Sequence, residues 1–420
     1  MKEKLKTFWS NDTVRGSMLF FTANMISAFG GLLLTIIIAR LMGTSEYGVF
    51  GTLIGLMYFL VIPVGALDLL ITKTVSSFSK VKVFGQTKSF IALLIKKTGM
   101  IFLGLFLLLL ALTIPLKEYL HIESAFSLIL LWIIVYLSIM GTIMASTLKG
   151  LLNFTPISIN LIFSMVVRIA TTVFVTYFII QSHFGGLWGL IIAGILGLLL
   201  YGYQLRNVWR SPGEKLDRKS MGLKKLGIIS LLVSGAFTAM YSLDMIFVRH
   251  YLSGYESGIY ASLATAGKMI FFAISPIAVL VLPIVSRKAD EPSTARKNLL
   301  ILTVLSALIG IFGATAFFMF PKFIVNTIFS DKFGQASIFL PVFGLVMLAY
   351  SLSNVFGGFL MGLNKYKSVW FILGALILQV VLLNVFHQNI FQIIISMGIV
   401  FWLLAVLLFG YCWYATRKTN

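Results

Sequence analysis

The sequence predicts an all-α polytopic membrane protein, with about 12 transmembrane helices in two six-helix lobes related by a parallel pseudo-two-fold repeat. Three observations predict it. Hydrophobic residues make up 59% of the 420-residue chain and charged residues only 11%. Residues 16–39, 98–116, 124–148 and 298–321 contain no Lys, Arg, Asp or Glu, and crossing a bilayer takes about 20 apolar residues. A short motif is also written twice, half the chain apart.

Cutting the apolar runs at Gly, Pro and polar breaks places spans near 15–39, 47–71, 92–115, 124–148, 155–180, 186–206, 226–248, 256–285, 298–320, 336–361, 368–386 and 390–414. The cuts at 181–186 ("QSHFGG") and 387–389 ("HQN") each divide a stretch too long for one span. The first run is longer than a signal-peptide apolar region and no small-x-small cleavage pattern follows it, so it is expected to be a retained span. Residues 1–207 form the expected N-terminal lobe, 208–224 a cytoplasmic linker with Pro, Gly and mixed charge, and 225–420 the C-terminal lobe.

Charge sets the orientation. When the connections are numbered alternately, 26 of the 33 Lys and Arg fall at the two termini and the even-numbered loops. Basic residues cluster on the cytoplasmic side of membrane proteins, so both termini are expected in the cytoplasm. The net charge of +20 is then topology and contact with lipid headgroups, not nucleic-acid binding. One cysteine, Cys412, excludes an internal disulfide.

The repeat joins "RLMGTSEYGVFGTL" (40–53) to "RHYLSGYESGIYASL" (249–263). Glu46, Gly48, Phe50 and Leu53 return 210 residues later as Glu256, Gly258, Tyr260 and Leu263. A weaker echo links "LKGLLNFTPISI" (148–159) to "LMGLNKYKSVWF" (360–371). Six spans, an even number, separate the copies, so the halves share one orientation, as in transporters that rock two lobes about a central site.

Together, "ARLMGTSEYGVFG" and "DMIFVRHYLSGYESGIYASLATAGKMI" resemble the polysaccharide-transporter branch of the multidrug/oligosaccharidyl-lipid/polysaccharide (MOP) exporter superfamily, which contains the Wzx-type flippases. The resemblance implies that Glu46, Gly48, Glu256 and Gly258 mark hinge loops, and that the first two helices of each lobe line a cavity. It also implies a lipid-linked oligosaccharide as substrate, with polysaccharide polymerase and glycosyltransferases as pathway partners.

Charge inside a span costs several kcal/mol and usually faces a protein interior or water. Arg168 and Lys268 each lie about 20 Å along their spans at 1.5 Å per residue, one per lobe. They are expected either to seat a pyrophosphate in a cationic cavity or to pair within their own lobes. Lys96 and Lys97 are expected to snorkel. Asp68 and Asp244 could carry a coupling H⁺ or Na⁺, or serve as ion pairs, with Arg249 a loose partner for Asp244. Asn24, Ser234, Thr238, Asn354 and Gln379 would extend the cavity wall or bind helices together. Pro63, Pro276 and Pro283 are expected to break the second and eighth spans.

No cofactor is expected, and no Walker A, H-E-x-x-H or G-x-S-x-G motif occurs. Competing readings are a MATE-like cation-coupled drug exporter, a lipid II flippase, a membrane glycosyltransferase or polymerase, and a non-transporting scaffold. A cationic midplane disfavours cationic drugs, the outer loops carry no clustered acids for glycosyl transfer, and lipid II flippases are expected to carry helices beyond a twelfth.

Overall fold

The computed structural model describes residues 12–78, 83–214, 225–286 and 292–417. Helices α1 (Asp12–Leu41), α2 (Thr44–Leu60), α3 (Val64–Ser76), α4 (Val83–Tyr119), α5 (Ala125–Gly150), α6 (Phe154–Phe178), α7 (His183–Gln204) and α8 (Arg206–Arg210) are followed by α9 (Lys225–Tyr251), α10 (Gly254–Ser286) and α11 (Pro292–Met319). A short α12 (Pro321–Ile328) and a 3₁₀ turn (Asp331–Phe333) precede α13 (Ala336–Gly362), α14 (Ser368–Val385) and α15 (Ile390–Ala415). Among the described residues, 11 helices are long and apolar enough to cross a membrane, and the pair α2–α3, bent by 44°, makes a twelfth span. Both uncertain cuts fall in helix breaks, between Phe178 and His183 and between Val385 and Ile390.

The third span departs most from its expected bounds. Its apolar stretch of 98–116 matches the hydrocarbon thickness, yet α4 begins at Val83. Lys96 and Lys97 are exposed where that stretch begins, as snorkelling side chains require.

The chain forms two compact units: residues 1–42 with 60–228, and residues 43–59 with 229–420. Almost all of α2 thus groups with the C-terminal unit, and α3 with the N-terminal one. Pro63 stands at the bend that divides them. In the first unit α6 lies between α1 and α7, and α5 contacts α3, α4 and α7. The start of the expected linker is docked there: Lys88 Nζ donates to the Ser211 carbonyl (2.9 Å) and Glu214 N–H to the Gly85 carbonyl (3.3 Å). Linker residues 215–224 lie outside the described residues. In the second unit α13 is central, with α10, α11 and α15 around it, and it buries Phe343, Tyr350, Phe356 and Phe359.

Pro276 and Pro283 lie within α10, which is continuous helix from Gly254 to Ser286. Pro276 lacks the N–H that would bond the Phe272 carbonyl four residues back. The Ser275 hydroxyl donates to that carbonyl instead (3.0 Å). A serine can thus satisfy a proline-freed carbonyl and keep a membrane helix continuous. The Pro283 side chain lies outside the described residues.

Candidate functional site

The repeated motif begins two helices. Ser253 caps α10: its Oγ accepts from Glu256 N–H (3.2 Å), while Glu256 Oε2 accepts from Ser253 N–H (3.0 Å) and Oγ–H (2.8 Å). That reciprocal pairing is a capping box. Glu46 occupies the first turn of α2, where a negative charge suits the helix dipole.

The two copies meet within the second unit. A side chain on Gly48 would lie 2.7 Å from Gly258 N, and one on Gly258 would collide with the Thr44 carbonyl oxygen. One turn along, a side chain on Gly51 would lie 3.0 Å from Ala261 Cβ. Small residues let membrane helices approach this closely. Farther along the same contact, Tyr58 faces Lys268, its equivalent after the 210-residue shift, with the ammonium 5.9 Å from the ring centroid.

Lys268 is half-buried near the middle of α10 and lies 4.1 Å from the Tyr241 ring centroid. Tyr241 is stacked on Tyr350 (5.9 Å, 25°) and tilted against Phe271 (5.7 Å). A cation is attracted to an aromatic face, and more strongly when it is partly dehydrated. On α9 one face carries Ser234, Thr238 and Tyr241, spaced by four and three residues. Ser234 is exposed and Thr238 half-buried, and their hydroxyls also donate to carbonyls one turn back on α9.

Asp244, one turn beyond Tyr241, is buried. The Tyr260 hydroxyl donates to its Oδ2 (2.8 Å), and the Met397 sulfur lies 3.0 Å from the same hydroxyl oxygen. Oδ1 has no hydrogen-bond partner. The charges of Asp244 and Lys268 act on one another, without a direct ion pair among the described residues. Gln379 donates to the Met240 carbonyl (2.9 Å), joining α14 to α9, while its own oxygen is unpartnered and buried. The repeat differs consistently here: Tyr260 and Asp244 correspond to Phe50 and Leu34, so hydroxyl and carboxylate occur together in one copy and are both absent from the other.

The other expected residues are carried by other helices. Arg168 is exposed on α6 in the first unit. Asn24 is exposed on α1, its amide donating to the Phe20 carbonyl (2.8 Å), and Asn354 is half-buried on α13. Asp68 forms an ion pair with Lys149 (2.9 and 3.1 Å) and accepts from the Ser146 hydroxyl. The tyrosines around Lys268 were not anticipated. One sequence signal was present: Tyr58 stands at the repeat position of Lys268.

Residues 13–289 match the family profile described as "Polysaccharide biosynthesis protein". No curated protein sequence matches the chain. Among solved structures, an inward-facing multidrug resistance MATE family transporter of the MOP superfamily superposes with a TM-score of 0.74 at 11% identity, over 96% of this chain and 98% of that one. The lipid II flippase MurJ, inward closed, gives 0.70 at 15% identity over 96% and 88%. A MOP superfamily transporter from Pyrococcus furiosus gives 0.59 at 10% identity over 97% and 96%. At these identities the likeness is one of fold.

Proposed function

The chain belongs to the polysaccharide biosynthesis protein family, on the fold of the MOP superfamily transporters, and from this premise we propose that it is a flippase. It moves a polyprenyl-(pyro)phosphate-linked oligosaccharide from the cytoplasmic to the outer leaflet of the bacterial cytoplasmic membrane by alternating access, with both termini cytoplasmic. Glycosyltransferases and a polymerase of the same cell-surface pathway supply and consume that substrate.

The observation that carries this reading is Lys268 over Tyr241 and Tyr58. Placing a lysine at mid-span costs about 2.5–3.5 kcal/mol, which an anionic ligand offsets. Phosphate supplies that anion, tyrosine faces supply stacking surface for sugar rings, and Ser234 and Thr238 supply hydrogen bonds. Arg168 is the second cation of the cycle, its planar fork suited to phosphate oxygens. The prenyl tail stays in lipid. Asp244 carries the coupling H⁺ or Na⁺: its unpartnered oxygen calls for a proton or a cation, and either neutralises the buried charge. Asp68, held by Lys149, secures α3 to α5.

Purified protein in liposomes should move a fluorescent lipid-linked oligosaccharide between leaflets, and the Arg168→Ala, Lys268→Ala double variant should not. Normal movement by the double variant would refute the site. Movement of organic cations in place of the lipid would favour a drug exporter.

A further inference from the structure

Residues 318–333 form a segment that neither the repeat nor the Lys268 site explains. α11 ends at Met319, the chain turns at Phe320, and α12 follows from Pro321 to Ile328. One face of α12 is covered: Val325 is buried, as is Phe329 one turn on, and the helix lies against α13. The opposite face is not. Phe320 is 54% exposed and Phe323 69%, and Phe318, at the end of α11, is 74% exposed. Lys322, next to Phe323 in the chain, and Lys332, beyond the end of α12, are exposed.

Beyond α12 the chain passes through Ser330, with φ 104° and ψ 167°. Backbone of this kind is nearly confined to glycine, and the Ser330 hydroxyl is buried without a hydrogen-bond partner. Phe329 and Phe333, both fully buried, hold the turn from either side. Phe333 meets Tyr47 edge to face (5.5 Å, 82°). Tyr47 belongs to the first motif copy, and its hydroxyl shares a 2.9 Å hydrogen bond with Thr265 on α10.

We propose that Phe318, Phe320 and Phe323 are seated in the acyl region of the membrane, and that the strained turn at Ser330 ties this seat to the repeated motif through Phe333 and Tyr47. Lipid is the occupant because Phe318 and Phe320 stand at the exposed end of α11, itself long and apolar enough to span the membrane. Lysines flanking an apolar face place their charges among headgroups. A serine kept in glycine's conformation between two buried phenylalanines is a turn the surroundings hold in place. Movement at the membrane surface therefore reaches the contact of α2 with α10. Which leaflet is involved rests on the orientation proposed above; the seat itself does not.

The test uses the full-length protein in liposomes, with an environment-sensitive maleimide dye at Phe323→Cys, Phe320→Cys or, as the aqueous control, Glu123→Cys, exposed in the connection between α4 and α5. The wild type, whose one cysteine is buried, is the labelling blank. Doxyl-labelled lipids should quench positions 320 and 323 about twofold or more over position 123, with aqueous iodide showing the reverse order. Equal iodide quenching at all three positions overturns the seat. So does shielding of 320 and 323 from both quenchers, because protein would then cover the face. Tyr47→Ala, or the milder Phe333→Leu, should weaken doxyl quenching at 323, and unchanged quenching in both overturns the tie. A membrane-impermeant reagent applied to cells carrying Lys332→Cys reports the sidedness separately.

Discussion

A methyl group on Gly48 would sit 2.7 Å from the backbone nitrogen of Gly258, its counterpart 210 residues away. Gly51 with Ala261 and Tyr58 with Lys268 are likewise equivalent positions in contact. Equivalent positions of the two motif copies thus meet one another within the second unit. The repeated motif is therefore an internal contact, and its glycines answer to close approach.

Gly48→Ala and Gly258→Ala should both destabilise the protein, by about 1–3 kcal/mol for overpacking. Both methyls meet backbone that no rotamer change can move, and Gly258→Ala should be the worse because its methyl would approach the Thr44 carbonyl more closely than the Gly48 methyl approaches Gly258 N. Gly31→Ala, with open space around it, is the control. Thermal unfolding of the purified variants in detergent should rank them in that order.

Replacing Lys268 by Gln should cut flipping by about tenfold or more, the loss of one charge-assisted hydrogen bond to phosphate. Arg at this position should retain part of the rate. Tyr241→Leu should impair sugar-bearing substrates more than polyprenyl pyrophosphate alone. Equal impairment of both would assign Tyr241 to holding Lys268 in place.

Asp244→Asn keeps the shape and removes the charge. Transport in liposomes carrying an imposed proton or Na⁺ gradient should lose its response to that gradient, while gradient-free exchange persists. Tyr260→Phe, which leaves the carboxylate with neither oxygen bonded, should weaken the response without abolishing it. A full response in Asp244→Asn would remove Asp244 from coupling.

Asp68→Asn should cost no more than about 1 kcal/mol, the range for partly exposed ion pairs, and leave gradient-driven transport near the wild-type rate. The salt dependence of stability should fall with the loss of the Lys149 pair. Loss of coupling here would instead return Asp68 to the transport cycle.

Ser275→Ala should leave the Phe272 carbonyl without a donor, at about 1 kcal/mol. Adding Pro276→Ala restores a backbone N–H to that carbonyl. The double variant should therefore be more stable than Ser275→Ala alone, a coupling a double-mutant cycle in unfolding temperature measures.

Span number and most boundaries were legible because crossing a bilayer is a matter of local length and polarity. The break at Pro63 was legible for a similar reason, since proline acts on its own turn. The continuity of α10 through Pro276 was not. It depends on Ser275 reaching one particular carbonyl, and a serine beside a proline reads equally well as a break. The amphipathic α12 was hidden as well, because eight residues between two spans look like a loop.

The sequence by itself determined that this chain lives in the membrane, how often it crosses, and that it repeats itself, because hydropathy, loop charge and a 210-residue shift are properties of the chain alone. Only the tertiary structure decided which partner each charged group has. Asp68 meets Lys149, Asp244 meets Tyr260, and Lys268 meets Tyr241 and Tyr58. Those pairings depend on the rotation of each helix about its axis and on where helices cross, and side chains tens or hundreds of residues apart set both.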